Sequence, residues 1–178
     1  MGIHHLAFVV KDVEATHRFY TEAMGFELLK VEVVPYGDGV ARHLFYSTGP
    51  KRDQLMAFFD LSCVPNAGEL KTDISRDLGY RSGINHLAFS AEDEADLAKR
   101  RDRWLAFGRD VLEIDHGWVH SIYTEDPDGI AVEFAVLTRA LDEGDAREAL
   151  ELLRSKQPAP SGAPKRRQLH KASVPAVA

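Results

Sequence analysis

The tetrapeptide His-Leu-Ala-Phe occurs twice in this chain of 178 residues, at residues 5–8 and again at residues 86–89. An aspartate follows each histidine at the same distance, as Asp12 and as Asp93. Helical periodicity begins after each aspartate and stops at a glycine, as expected where Asp caps the start of a helix and Gly ends it. The sequence therefore predicts two copies of one structural module.

Three strand-like segments follow each predicted helix. They are residues 27–34, 40–47 and 54–61 in the first copy, and residues 110–115, 118–124 and 130–137 in the second. Glycine and proline mark the turns between them. The predicted fold class is α+β, with two βαβββ modules in tandem and an added C-terminal helix.

The predicted boundaries divide the chain into five parts. We expect a first module at 1–61, a linker at 62–83, a second module at 84–137, a C-terminal helix at 138–156 and a disordered tail at 157–178. The tail is rich in Pro, Ala, Ser and basic residues, and it has few large apolar side chains to offset the entropy lost on ordering.

Composition excludes several classes of function. A net charge of −6 argues against a nucleic-acid-binding protein, which needs a basic surface to neutralise phosphates. No apolar segment approaches the roughly 20 residues that span a bilayer. The single cysteine, Cys63, and an N-terminus without the pattern of a signal peptide predict a cytoplasmic protein.

Strand alternation brings three candidate metal ligands onto faces with small side chains. His5 shares its face with Ala7, and His86 shares its face with Ala88, whereas the opposite faces are apolar. Glu133 lies in an apolar strand, where an ionised carboxylate is costly to bury without a cation. Two histidines and one carboxylate converging on a cavity predict a metal centre with open coordination positions. His4 is the rival to His5, but Asn85 occupies its place in the second copy.

The motifs resemble those of the vicinal oxygen chelate superfamily, which includes glyoxalase I, extradiol ring-cleaving dioxygenases, methylmalonyl-CoA epimerase, and fosfomycin and bleomycin resistance proteins. The resemblance covers residues 3 to about 137. It rests on the segments at 3–12, 19–20, 25–26 and 126–129, followed by Glu133. The resemblance implies that the two modules form a curved mixed sheet around a metal cleft. It also implies that His5, His86 and Glu133 match the ligand positions of the superfamily.

The resemblance also suggests residues around the metal. Aligning the copies at His-x-x-Tyr puts Gln54 opposite Glu133, where glyoxalase I and the epimerase supply a fourth ligand. Tyr123 stands ten residues before Glu133, where the dioxygenases carry an active-site tyrosine. The candidates for a second-sphere histidine are His43, His116 and His120, and the residues expected to line the substrate site are Phe45, Met56, Phe58 and Trp118.

These features predict a metal-dependent enzyme whose small-molecule substrate chelates the metal through vicinal oxygens. We favour ring cleavage of the extradiol-dioxygenase type with Fe(II), although Mn(II), Zn(II) or Ni(II) would also suit the ligands. A glyoxalase- or epimerase-type lyase or isomerase is the alternative, with Gln54 as a ligand. A non-catalytic drug-binding resistance module is a further alternative. Exposed sheet edges predict a homodimer, without a nucleic acid or a membrane as partner.

Overall fold

The computed structural model describes residues 2–174, and it contains two mixed β-sheets and three α-helices. The first module comprises β1 (His5–Val10), α1 (Val13–Arg18), β2 (Glu27–Tyr36), β3 (Gly39–Ser47) and β4 (Leu55–Asp60). The second comprises β5 (His86–Ser90), α2 (Glu94–Ala106), β6 (Val111–Asp115), β7 (Val119–Glu125) and β8 (Ala131–Leu137). After these come α3 (Glu143–Arg154) and β9 (Arg166–His170). The tandem βαβββ modules and the C-terminal helix are therefore confirmed.

Both modules have the same strand order. The first sheet runs β1-β4-β3-β2, and the second runs β5-β8-β7-β6 with β9 added at its outer edge. The first strand of each module pairs in parallel with the last strand of that module, and the other pairs are antiparallel. The residues described form two separate sheets rather than the single curved sheet that we expected.

The helices begin where the aspartates predict. The carboxylate of Asp12 accepts the backbone N–H groups of Glu14 and Ala15, and Asp93 caps α2 in the same way. After Arg18 the first helix continues as a π-helix, Phe19–Ala23. It ends at Gly25, whose φ of +76° lies in the left-handed region that glycine adopts at low cost.

One hydrophobic core joins the two modules. It contains Tyr20 and Phe58 from the first module, and Trp104 and Phe134 from the second, all fully buried. Tyr20 also donates a hydrogen bond across the junction to the carboxylate of Asp126, at 3.0 Å. Each sheet therefore turns one face toward this shared core and the other face away from it.

The prediction of a disordered tail is wrong for Arg166–His170, which forms β9. This strand pairs antiparallel with β6, and His170 lies opposite Val111. Sheet pairing satisfies backbone N–H and C=O groups and does not require apolar side chains, so composition did not reveal it. Residues 175–178 of the predicted tail lie outside the described residues. Among residues 2–174, no helix is long and apolar enough to cross a membrane.

Candidate metal centre

His86 and Glu133 come together on the second sheet. β5 and β8 pair in parallel with Ala88 opposite Glu133, so both candidate ligands lie on the face turned away from the core. His86 Nε2 lies 3.0 Å from Glu133 Oε2. The glutamate side chain is buried, whereas about a third of the histidine side chain is exposed. Two of the three predicted ligands are therefore adjacent.

The hydrogen bonding of His86 leaves its Nε2 available as a metal ligand. His86 Nδ1 lies 3.0 Å from the carbonyl oxygen of Gly83, which can only accept, so Nδ1 carries the proton. In a neutral imidazole, Nε2 then presents a lone pair to the Glu133 carboxylate, which also offers only lone pairs. A proton or a metal cation must lie between them. A backbone carbonyl that orients a histidine in this way is common around metal ligands, so the pair fits a divalent ion.

Tyr123 stands beside this pair. It lies opposite Glu133 in the β7–β8 ladder, and its ring centroid is 6.1 Å from that of His86. Burial raises the pKa of Tyr123; a hydrogen bond with Ser121 opposes this effect and the charge of Glu133 adds to it. The phenol is therefore protonated at neutral pH. Its hydroxyl lies 3.3 Å from His116 Nε2, which makes His116 the one of the three second-sphere candidates that contacts Tyr123.

His5 lies on the first sheet, away from His86 and Glu133. The side chains that alternate with His5 along β1 include Val10 and the partly buried Phe8, which pack in the shared core. In β5, Leu87 packs into the same core. Because both histidine faces point away from one core, they do not meet within the chain. Among residues 2–174, no group of three or more His, Cys, Asp or Glu side chains is placed to hold a metal ion.

The face of the first sheet that carries His5 is rich in aromatic groups. Phe45 lies 6.1 Å from His5 between ring centroids, and His43 stacks on Phe59 at 3.7 Å. Burial lowers the pKa of His43; the charge of Glu32 opposes this effect, and His5 adds to it. His43, the candidate catalytic residue, and Phe45, the expected lining residue, thus lie on the same face as His5.

The strand register overturns the equivalence between Gln54 and Glu133. Ala7 lies opposite Ala57 in β4, as Ala88 lies opposite Glu133 in β8, so Ala57 is the counterpart of the glutamate. Gln54 precedes β4, and its exposed side chain lies beside Gly2. Phe45 pairs with Ala57 as Tyr123 pairs with Glu133, so Phe45, and not Tyr46, corresponds to Tyr123. The connection between β3 and β4, residues 48–54, is two residues longer than the connection between β7 and β8, residues 126–130.

The predicted site roles of three further residues, Met56, Phe58 and His120, are wrong. Met56 and Phe58 alternate with Ala57 along β4 and are buried in the core, so they cannot line a site on the His5 face. His120 alternates with Tyr123 and lies on the other face of its sheet, within 2.7 Å of Glu94 and 3.2 Å of Glu113. Trp118 lies in the turn before β7 and is 43% exposed, and its role as a lining residue stays a prediction.

A cavity of about 790 Å³ opens on the second sheet beside the pair, and His86 and Tyr123 are among the residues that line it. The volume lies within the range of small-molecule sites. Sequence reasoning missed this cavity because part of its wall comes from β9 and the residues after it.

The Glyoxalase/Bleomycin resistance protein/Dioxygenase superfamily matches residues 2–134. The chain belongs to this superfamily. A relative from Synechocystis sp., named a probable lactoylglutathione lyase, is 26% identical over 134 residues, which are 75% of this chain and 93% of the relative.

Solved structures of the superfamily share the fold. A glyoxylase/bleomycin resistance protein/dioxygenase domain from Frankia sp. superposes with a TM-score of 0.60 at 21% identity, over 77% of this chain and 98% of that chain. The fosfomycin resistance protein FosX from Listeria monocytogenes, complexed with Mn(II) and sulfate, superposes with a TM-score of 0.54 at 18% identity, over 77% of this chain and 93% of FosX. The resemblance inferred from the sequence motifs is confirmed.

Proposed function

We propose that this superfamily member is a metal-dependent enzyme in which His86 and Glu133 of one copy and His5 of a second copy bind one divalent cation. The observation that supports this proposal most directly is the distance of 3.0 Å between His86 Nε2 and Glu133 Oε2. The other ring nitrogen of His86, Nδ1, donates to the carbonyl oxygen of Gly83. This arrangement needs a positive charge between its lone pairs. FosX, with the same fold, was solved with Mn(II).

A second copy supplies His5 because the two ligand faces of one chain point away from a common core. His5 is exposed on one sheet and His86 on the other. Two copies related by a twofold axis would place the His5 face of each against the His86 face of its partner, and would form two equivalent centres. The homodimer expected from the sequence would therefore be needed to complete each metal centre.

Ala57 limits the protein ligands to three. It occupies the position where the first module could place a counterpart of Glu133, and a methyl group cannot coordinate a metal. His5, His86 and Glu133 would therefore be the protein side chains that hold the cation, and a set of two histidines and one carboxylate would leave room for both a chelating substrate and dioxygen. This count supports ring cleavage of a catechol-type substrate, with Fe(II) as the metal.

The residues around the centre have separate tasks. When bound, the metal would draw electron density from the two substrate oxygens and lower their pKa. Tyr123, kept protonated by burial, donates a hydrogen bond or a proton to a substrate oxygen. His116 contacts the Tyr123 hydroxyl and provides a route by which that proton is replaced. The charge of Glu133 offsets the charge of the cation.

A lyase is the second candidate function, and the relative named lactoylglutathione lyase favours it. In such an enzyme the substrate would chelate the metal through a carbonyl and an adjacent hydroxyl, and a base would move a proton between neighbouring carbons. The absence of a carboxylate at Ala57 counts against it, because the resemblance implies a fourth ligand there in glyoxalase I.

Metal titration and product analysis test this proposal. Calorimetric titration of anaerobic protein with Fe(II), Mn(II) and Zn(II) should give one site per chain, and His5→Ala, His86→Ala and Glu133→Ala should each abolish it. His120→Ala is the matched control, since it removes a histidine from the opposite face of the same sheet. Full affinity in any of the three ligand variants would remove that residue from the centre.

The reaction itself is tested with two substrate sets. The Fe(II)-loaded protein should consume oxygen on catechols and yield ring-opened products. Conversion of a glutathione hemithioacetal without oxygen uptake would favour the lyase instead. Failure on both sets, with metal binding intact, would reject both reactions and favour a binding module.

A further inference from the structure

β9 lies outside the part of the chain that matches the superfamily, which ends at residue 134. It extends the second sheet at the outer edge of β6, whereas the corresponding strand of the first sheet, β2, is the last strand of that sheet. Five residues pair in antiparallel register along the whole of β6. The strand is therefore an addition to the βαβββ module, and it lies outside the residues that match the superfamily.

Hydrogen bonds and an ion pair fix β9 in place at both ends. His170 Nε2 lies 2.8 Å from the buried carboxylate of Glu113, and Lys171 Nζ lies 2.6 Å from Asp110 Oδ2. Asp110 also accepts the backbone N–H of Ala172 at 3.0 Å. At the other end, the backbone N–H of Lys165 donates to the carbonyl of Asp115 at 2.8 Å. These contacts hold the strand in one register, so one face of it is reliably presented to the cavity.

The residues of β9 and of the segment after it that line the cavity are apolar, whereas Arg167, on the same face as Leu169, is not among the lining residues. Leu169 lies opposite Leu112, and both line the 790 Å³ cavity together with Ile114. Ala172 and Val174, which follow β9, continue the same wall. Leu169 is 55% exposed, so a large apolar side chain on a well-fixed strand remains open to whatever enters the cavity.

The carboxylates in the cavity lining are already partnered. Asp110 binds Lys171, and Glu125 accepts hydrogen bonds from Arg76 and Ser82. The other polar groups of the lining include His86 and two arginines, Arg81 and Arg109, and Arg109 Nε is buried without a hydrogen-bond partner. Under the proposed function the end with His86 is the chelating end, and the cavity also has an apolar wall.

We propose that β9 and the residues after it form a specificity wall that selects substrates carrying an apolar body next to the oxygens that chelate the metal. The occupant is one small molecule of this kind, such as an alkyl-substituted vicinal diol on an aromatic ring. This inference rests on the proposed function for the position of the chelating end, whereas the apolar wall stands on its own residues.

Two ligand series separate these two parts. Full-length protein loaded with Zn(II), which does not react with oxygen, is titrated calorimetrically with 4-alkylcatechols from methyl to hexyl, and with the matching 4-alkylphenols, which cannot chelate. Kd should fall roughly threefold to fourfold for each added methylene group in both series, because each is buried against the wall. Catechols should bind more tightly than phenols throughout, because only they chelate.

Leu169→Ser tests the wall directly, and Gln168→Ser is its matched control. Gln168 is the neighbour on the same strand but lies opposite Glu113, on the other face. Leu169→Ser should weaken binding of the hexyl compounds about tenfold and leave the methyl compounds nearly unchanged. Gln168→Ser should match the wild type. Because Leu169 is largely exposed, both variants should fold, which circular dichroism checks.

Four other outcomes are decisive. An affinity that does not depend on the length of the alkyl chain would contradict the proposed specificity wall. Equal affinities of Leu169→Ser and Gln168→Ser for the hexyl compounds would also contradict it. Exclusion of every ligand by a dimer would show that a second copy fills the cavity, and it would also overturn the inference. If phenols bind as tightly as catechols while the dependence on chain length persists, the wall stands and the proposed metal function fails.

Discussion

Replacing Asp126 by Asn should stabilise the protein above neutral pH and remove part of the pH dependence of its stability. Asp126 is 3% exposed at the junction of the modules, where it accepts the Tyr20 hydroxyl at 3.0 Å and the backbone N–H groups of Asp128 and Ile130 at 2.9 Å. Burial, with the neighbouring charge of Asp128, raises its pKa from 3.8 to about 7.

The sign follows from the protons bound in each state. Between pH 3.8 and about 7 the folded protein holds a proton on Asp126 that the unfolded chain has released. The free energy of unfolding therefore falls as pH rises, by up to about 1.4 kcal/mol for each pH unit. A pKa of about 7 instead of 3.8 corresponds to a contribution of about 4 kcal/mol to the free energy of unfolding. This contribution is fully present below pH 3.8 and is lost above about pH 7. The amide of Asn keeps an oxygen for the backbone donors and carries no charge.

Urea denaturation at pH 4, 6 and 8 measures the difference between variant and wild type. The free energy of unfolding of Asp126→Asn should exceed that of the wild type by little or nothing at pH 4 and by a few kcal/mol at pH 8. The raised pKa of the buried carboxyl sets this order of magnitude. Asp38→Asn, in an exposed turn, is the control and should give a small difference at every pH. A difference for Asp126→Asn that does not change with pH would refute the reasoning.

Three shorter predictions concern the core, a helix cap and the site. Phe134→Ala should lower the free energy of unfolding by about 3–5 kcal/mol, since Phe134 is buried against Trp104; a loss below about 1 kcal/mol in urea would contradict its place in the core. Asp12→Ala should cost about 1 kcal/mol by calorimetry, and Asp12→Asn much less; equal losses would show that the cap is unimportant. Tyr123→Phe should lower kcat about 10²-fold or more with little change in KM; unchanged turnover would remove Tyr123 from the reaction.

Local signals were sufficient to predict the modules. The repeated tetrapeptide, the capping aspartates and the terminal glycines located both helices, and alternation located the strands to within two residues of their observed ends. These features depend on contacts between residues close in the chain. The same alternation put His86 and Glu133 on one face, because parallel pairing of β5 with β8 preserves it.

Features that depend on distant contacts were not predictable from the sequence. The role of Ala57 depends on the register between β1 and β4, which the longer connection at residues 48–54 disguised. The placement of β9 depends on an open strand edge and on a partner for the buried Glu113, neither of which composition reveals. The separation of His5 from His86 depends on how both sheets pack on one core, which strand patterns leave open.

The most direct test of the account is metal binding by a mixture of two inactive variants, His5→Ala and Glu133→Ala, that have been dissociated and reassembled together. Each variant alone should bind no metal at its site. If His5 comes from the partner copy, every mixed dimer regains one complete centre, made of His86 and Glu133 from one copy and His5 from the other. With random reassembly half of the dimers are mixed, so about one quarter of a metal ion per chain should bind with wild-type affinity. Reassembly that restores no binding, from variants that each remain folded and dimeric, would contradict a centre shared between two copies.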